Sequence, residues 1–196
     1  KIQPNAKPGD FRWKDLNGDG QITSDDRENL GTAIPPFTYG ITLKAAYKNF
    51  DIMAFGQGVA GNKICNQIRR LDVPTSNYTR AALGRWVGPG TSNSYPRLIE
   101  GADPNGNFTN MSDFYLENGA YFRLKTLQIG FTLPKALVPK SGIDKIRVYA
   151  SSNNLFTLTK YNGYDPEIGG SISISGIDRG VYPQARSFMV GLDLTF

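Results

Sequence analysis

The residues best spaced for chemistry lie near the start of the chain. Asp15, Asn17 and Asp19 alternate with Leu16 and Gly18, then Gly20, Gln21 and Ile22 follow, and Asp26 takes the twelfth position of the run. This is the order of an EF-hand calcium loop. Calcium is a hard cation that gathers roughly six to eight oxygens. Asp15, Asn17 and Asp19 would give side-chain oxygens, Gln21 its backbone carbonyl, and Asp26 the closing carboxylate. Gly20 allows the sharp turn and Ile22 anchors the loop. Asp26 stands where a Glu is usual, so its shorter carboxylate reaches less far and favours weaker binding. No pair of helices flanks the run, so the expectation is a structural Ca2+ clip and not a sensor. The same residues also make a polar Asn/Asp/Gly turn that needs no ion.

Other reactive groups are sparse. Asp165 and Glu167 flank Pro166 with no partner acid in view, and we read them as rim or hydrogen-bonding structure. The chain has no His and one Cys, Cys65. That excludes His-based triads, His-ligated zinc and an internal disulfide. No nucleophile–base pair appears, so an enzyme is not expected. The net charge of +5 comes from 22 basic against 17 acidic residues. The basic residues are spread out, with Arg69-Arg70 the only adjacent pair, so no nucleic-acid stripe is expected. Tyr78, Trp86, Tyr95 and Phe108 stand among Asn, Arg and Ser in one long connecting segment. Such rings stack on sugars or line a peptide groove, and equally form the packed interior of a folded loop.

The elements that hold these groups are strands. The 196 residues include 22 Gly, 12 Pro, 11 Phe and 10 Tyr, a composition rich in strand and turn formers. The only helical stretch, 79–86, is at most two turns. Alternation of period two recurs. Phe188, Val190, Leu192, Leu194 and Phe196 form one apolar face of the last strand. Phe37, Tyr39, Ile41, Leu43, Ala45 and Tyr47 do the same earlier, and the pair Lys48-Asn49 turns the chain into Phe50, Ile52 and Ala54. Leu127, Ile129, Phe131 and Leu133 form a third face, although Tyr121, Arg123 and Lys125 carry its parity with charge. Ile146, Val148 and Ala150 form a fourth, and the pattern degrades beyond Ser152. Strands are expected near 37–47, 50–58, 120–133, 145–158 and 186–196.

A soluble antiparallel sandwich and a piece of an outer-membrane barrel both alternate in this way. Strand 37–47 spans about 37 Å at ~3.4 Å per residue, or roughly 28 Å when tilted by about 40°, enough for a ~25 Å apolar band. Connections also alternate short and long, as barrel turns and extracellular loops do. No stretch reaches the ~18 apolar residues of a spanning helix. The expected fold is therefore all-β: about five C-terminal strands of a large antiparallel transmembrane barrel with long extracellular loops. Residues 1–36 form a loop carrying the calcium motif, and 37–196 hold the strands and remaining loops. Phe188, Val190, Leu192, Leu194 and Phe196 are expected to face lipid. Five strands cannot close in a membrane, so the rest of the barrel is expected on another chain or segment. The alternative is a secreted, calcium-stabilised β-sandwich that binds carbohydrate.

A series of motifs then resembles the C-terminal part of SusC/RagA-type TonB-dependent outer-membrane transporters of the Bacteroidetes. In order they are the run from Asp15 to Ile22 with Asp26-Arg27, Pro36 to Gly40, Tyr47 to Asp51, Gln57-Gly58, Tyr115 to Lys125, Gly130 to Pro134, Asn153 to Phe156, Tyr164 to Glu167, Tyr182-Pro183 and the terminal strand ending in Phe196. The resemblance implies a barrel of about 22 strands that is plugged by an N-terminal domain and capped by a SusD-like lipoprotein. It implies import of oligosaccharides or oligopeptides driven through TonB. It places the chain in the bacterial outer membrane, with loops outside and the C-terminus in the periplasm. Its partners would be the remaining barrel and plug, the lipoprotein, TonB through the missing part, lipid, and a glycan or peptide substrate.

Overall fold

A computed structural model describes residues 2–73, 75, 77–138, 142–169 and 175–196. The connections between the last three expected strands, 134–144 and 159–185, lie partly outside the described residues. Among the described residues there is no α-helix, and the stretch 79–86 holds only a 3-10 turn, Arg80–Gly84. Among the described residues no helix is long and apolar enough to cross a membrane. The chain divides into two compact units.

The larger unit is one antiparallel sheet. Its strands, in spatial order, are β1 (Phe37–Tyr47), β2 (Phe50–Ala60), β5 (Tyr121–Thr132), β6 (Lys145–Thr159) and β8 (Ser187–Thr195). Lys48, at φ +52°, turns β1 into β2. The Asn49 side chain donates to the Thr132 carbonyl at 2.7 Å, which ties this turn to the end of β5.

Register aligns residues of one kind into rows across all five strands. Tyr47, Phe50, Phe131, Val148 and Leu192 are successive partners, as are Ala45, Ile52, Ile129, Ala150 and Val190. These rows lie on one face, because side chains alternate along a strand and stay aligned across it. The rows between them, such as Ala46, Asp51, Gly130, Tyr149 and Gly191, point the other way. The outward apolar face is uncovered: Leu43 is 66% exposed, Phe188 70% and Val190 82%. A sandwich would bury that face under a second sheet, so the sandwich alternative does not describe this sheet.

The charged upstream part of β5 has a cause. The ladder shifts at Lys125, where β5 carries one residue more than β2. Such a bulge reverses the parity of what precedes it. Tyr121 and Arg123 thereby join the polar face, while Leu127 and Ile129 stay on the apolar one. Asn154 lies in the same irregular stretch of β6 at φ +51°, which is why alternation fades beyond Ser152.

The smaller unit takes residues 1–31, 64–117 and 177–180. Short strands β3 (Lys63–Asn66), β4 (Leu116–Asn118) and β7 (Ile177–Asp178) form a three-stranded sheet. Its core is Cys65, Leu71, Ala82, Ile99, Phe108 and Tyr115, with Tyr95 and Phe114 packed against it.

Candidate functional site

In loop 15–26 the acidic side chains fold the backbone. Asp15 accepts from the Gly18 and Gly20 amides at 2.7 and 2.9 Å, and both glycines have positive φ. Asp19 accepts from the Gln21 amide and the Asn17 side chain. Asp26 accepts from the Leu16 and Thr23 amides, both at 2.7 Å, and so joins the two ends of the loop. The Thr23 amide, then that of Leu16, holds the Asp26 carboxyl below its ordinary range. Gln21 is exposed. Among the described residues no three His, Cys, Asp or Glu side chains gather as a metal cluster.

The four aromatic residues named from sequence do not share a site. Phe108 is 4% exposed in the core of the smaller unit, as the packed interior of a folded loop would have it. Tyr95 packs edge-on against Phe114, and the Arg69 guanidinium lies 4.3 Å from the Phe114 ring centre and 5.0 Å from that of Tyr95. Trp86 lies against Gly9, whose lack of a Cβ leaves room for the indole. Tyr78 stays partly exposed and donates its hydroxyl to the Val73 carbonyl at 3.1 Å. Leu192, Leu194 and Phe196 are exposed like Phe188 and Val190, along the apolar side of the last strand.

Two ionic assemblies on the polar face were not foreseen. Arg147 on β6 reaches across β5 to Asp51 on β2, at 2.6 and 2.9 Å, and turns its remaining nitrogen to Asp193 on β8 at 2.7 Å. It passes over Gly130, where a Cβ would collide with both the Arg147 and Asp51 side chains. At the other end of the sheet, Arg123 donates to Thr157 on β6, to Asp165 and to Glu167 at 2.6–2.8 Å. Lys125 adds a bond to Glu167 at 2.7 Å. Arg123 and Asp165 are both buried to 3% exposure. Burial opposes charge on Asp165, but the Gln184 and Glu167 amides and Arg123 outweigh it and hold its carboxyl below the ordinary range. Asp165 therefore ties both legs of the β6–β8 connection to β5. The signal in the sequence was Arg123 and Lys125 at apolar parity.

The smaller unit has its own buried knot. Asp10 accepts from Arg97 at 2.6 Å and from Asn107 at 2.8 Å, and Asn107 accepts from the Phe11 amide. Burial works against the Asp10 charge, but these donors and the Lys7 amide prevail and hold its carboxyl low.

No family model matches the chain. It is 34% identical over 203 residues to TonB-dependent receptor P3 of Formosa agariphila, covering 100% of this chain and 20% of that protein. It is 29% identical over 195 residues to the TonB-dependent receptor SusC of Bacteroides thetaiotaomicron, covering 98% of this chain and 18% of SusC. Its fold matches the RagAB peptide importer in the closed-closed state with a TM-score of 0.71 and 26% identity, over 93% of this chain and 20% of that one. The chain thus spans about a fifth of the length of these relatives, which are named as receptors and an importer. With alignment over its whole length and five strands in one antiparallel sheet, the chain is similar to a segment of TonB-dependent receptors of the SusC and RagA kind.

Proposed function

We propose that this chain is a wall segment of an outer-membrane importer that takes up oligosaccharides or oligopeptides with a SusD-like surface lipoprotein. Energy would arrive through TonB at parts of the receptor outside this chain. The observation that carries the reading is the sheet itself. Its five strands have one uncovered apolar face, one polar face, and two edge strands, β1 and β8, that each pair on one side only. That geometry suits the wall of a closed barrel, where lipid meets one face and a polar lumen the other. The RagAB proteins are named as a peptide importer, which favours a peptide or comparable oligomer as cargo.

The long connections 61–120 and 160–186 leave one end of the sheet, and the two-residue turn Lys48-Asn49 leaves the other. By analogy with outer-membrane barrels, the long connections lie outside and the short turn in the periplasm. Calcium in loop 15–26 is part of this proposal and rests on the order of the oxygen donors from Asp15 to Asp26. Binding would draw the carboxylates of Asp15, Asp19 and Asp26 off the loop's own amides and onto the cation.

Growth tests the importer. Cells lacking the full receptor should stop growing on its oligomeric nutrient, and should recover with the intact gene only when TonB is present. A mild-detergent preparation should carry a surface lipoprotein, identified by mass spectrometry. Unchanged growth on every oligosaccharide and oligopeptide offered would refute the proposal.

A further inference from the structure

The buried latch on β5 builds a cavity. Residues of β5 and β6 and of the two described legs of the connection, within 163–166 and 183–186, border an open cavity of about 410 Å³. Its lining includes Arg123, Thr157, Tyr164, Asp165, Gln184 and Arg186. That volume lies within the range of small-ligand pockets. The charges facing the cavity and its latch can be counted. Arg123 and Lys125 are offset by Asp165 and Glu167. Arg186 is then the one lining cation with no acidic partner among the described residues, and it is exposed. The Tyr164 ring also lines the cavity and is 66% exposed. The latch keeps this wall rigid, since Asp165 fixes the Gln184 amide two residues before Arg186 and the Glu167 amide three residues after Tyr164.

We propose that this cavity is a subsite for a carboxylate-bearing unit of the transported oligomer, with Arg186 pairing the carboxylate and Tyr164 packing against the unit's apolar side. A guanidinium that is not already paired gives a carboxylate two parallel donors. The exposed ring adds contact area without adding charge. The inference rests on the importer reading and narrows its cargo to oligomers with acidic units. The carboxylate has two sources, an acidic peptide or a uronic-acid oligosaccharide.

The test uses the purified full-length receptor and four probes: triglutamate, trialanine, trigalacturonate and maltotriose. Calorimetry should show Arg186→Gln weakening an acidic probe on the order of tenfold while the neutral partner of that probe changes little. Arg186→Lys should recover part of the loss. Added salt should weaken acidic-probe binding to the natural receptor more than to Arg186→Gln. A loss confined to triglutamate assigns the site to peptides, and one confined to trigalacturonate assigns it to uronic sugars. No binding of either acidic probe to the natural receptor, or equal losses for acidic and neutral probes, would overturn the subsite. Selective binding in vitro with no uptake by cells would sink the importer reading and leave the subsite standing.

Discussion

Leu192→Arg in the full-length receptor tests where the apolar face lies. Leu192 is 57% exposed and sits in register beside Val148, in the row that runs through Phe131 and Phe50. It lies four residues before Phe196, itself 78% exposed on the same face. Four residues span about 14 Å along a strand, or roughly 10 Å across a membrane at a tilt of about 40°. If Phe196 marks the rim of a ~25 Å apolar band, Leu192 lies close to its middle, where an arginine costs about 2–4 kcal/mol. The control is its neighbour on the polar face. Asp193→Asn gives up only a half-exposed contact with Arg147 and should cost less than about 1 kcal/mol. Reversible guanidinium unfolding in phospholipid vesicles measures both, with gel mobility confirming a folded starting state. A Leu192→Arg receptor as stable as Asp193→Asn would refute the lipid assignment of this face.

Gly191→Ala should also be costly although it faces the polar side, because its Cβ would run into the Tyr149 ring, and the same unfolding assay should show a loss. Gly130→Val should break the Arg147–Asp51 contact, since the new side chain occupies the path of the guanidinium, and a double-mutant cycle with Asp51→Asn should show the pair's coupling gone. Calcium should slow proteolysis within loop 15–26 of the full receptor, and Asp15→Asn should abolish that protection; equal cleavage with calcium and with chelator would count against the clip. Acid should loosen the segment around Asp10. Its carboxyl is held below its ordinary value of 3.8 in the fold, so the stabilisation is full above about pH 4 and fades as pH falls through the lower folded value. Hydrogen exchange at the Phe11 amide should report it.

Alternation was legible wherever it ran unbroken. The apolar parity of β1 and β8 follows from residues two apart, and a strand transmits that parity without any tertiary information. It failed at Lys125 and Asn154, because a bulge is one extra residue whose effect appears only against the partner strand. The charge at Tyr121–Lys125 was the trace it left. The long segment 59–113 resisted for a different reason. Phe108 and Tyr95 stand among polar residues, and the same composition suits a ligand wall or a small core. What decides is contact at a distance, such as Asn107 with Asp10, 97 positions apart. Nothing local encodes that pairing. The Asp165-Pro166-Glu167 run was read as hydrogen-bonding structure, and its partners Arg123 and Lys125 lay on another strand beyond the reach of pattern.

The two arginines of the polar face also explain how a sheet whose apolar side is uncovered keeps its register. On the proposed lipid side, the apolar rows would lose little after a slip of two residues, since period-two patterns map onto themselves. Polar contacts do not. Arg147 touches Asp51 and Asp193, one on each side and three strands apart in the order β2, β5, β6, β8. Moving β6 by two residues against either neighbour shifts the guanidinium by about 7 Å along the strand, out of reach of a carboxylate. Arg123 repeats the constraint between β5, Thr157 of β6 and the Asp165 leg. The partly exposed pairs of Arg147 each contribute little free energy. Their value lies in discrimination, because the correct pairing satisfies every contact and a slipped one leaves the buried Asp165 and Arg123 without partners.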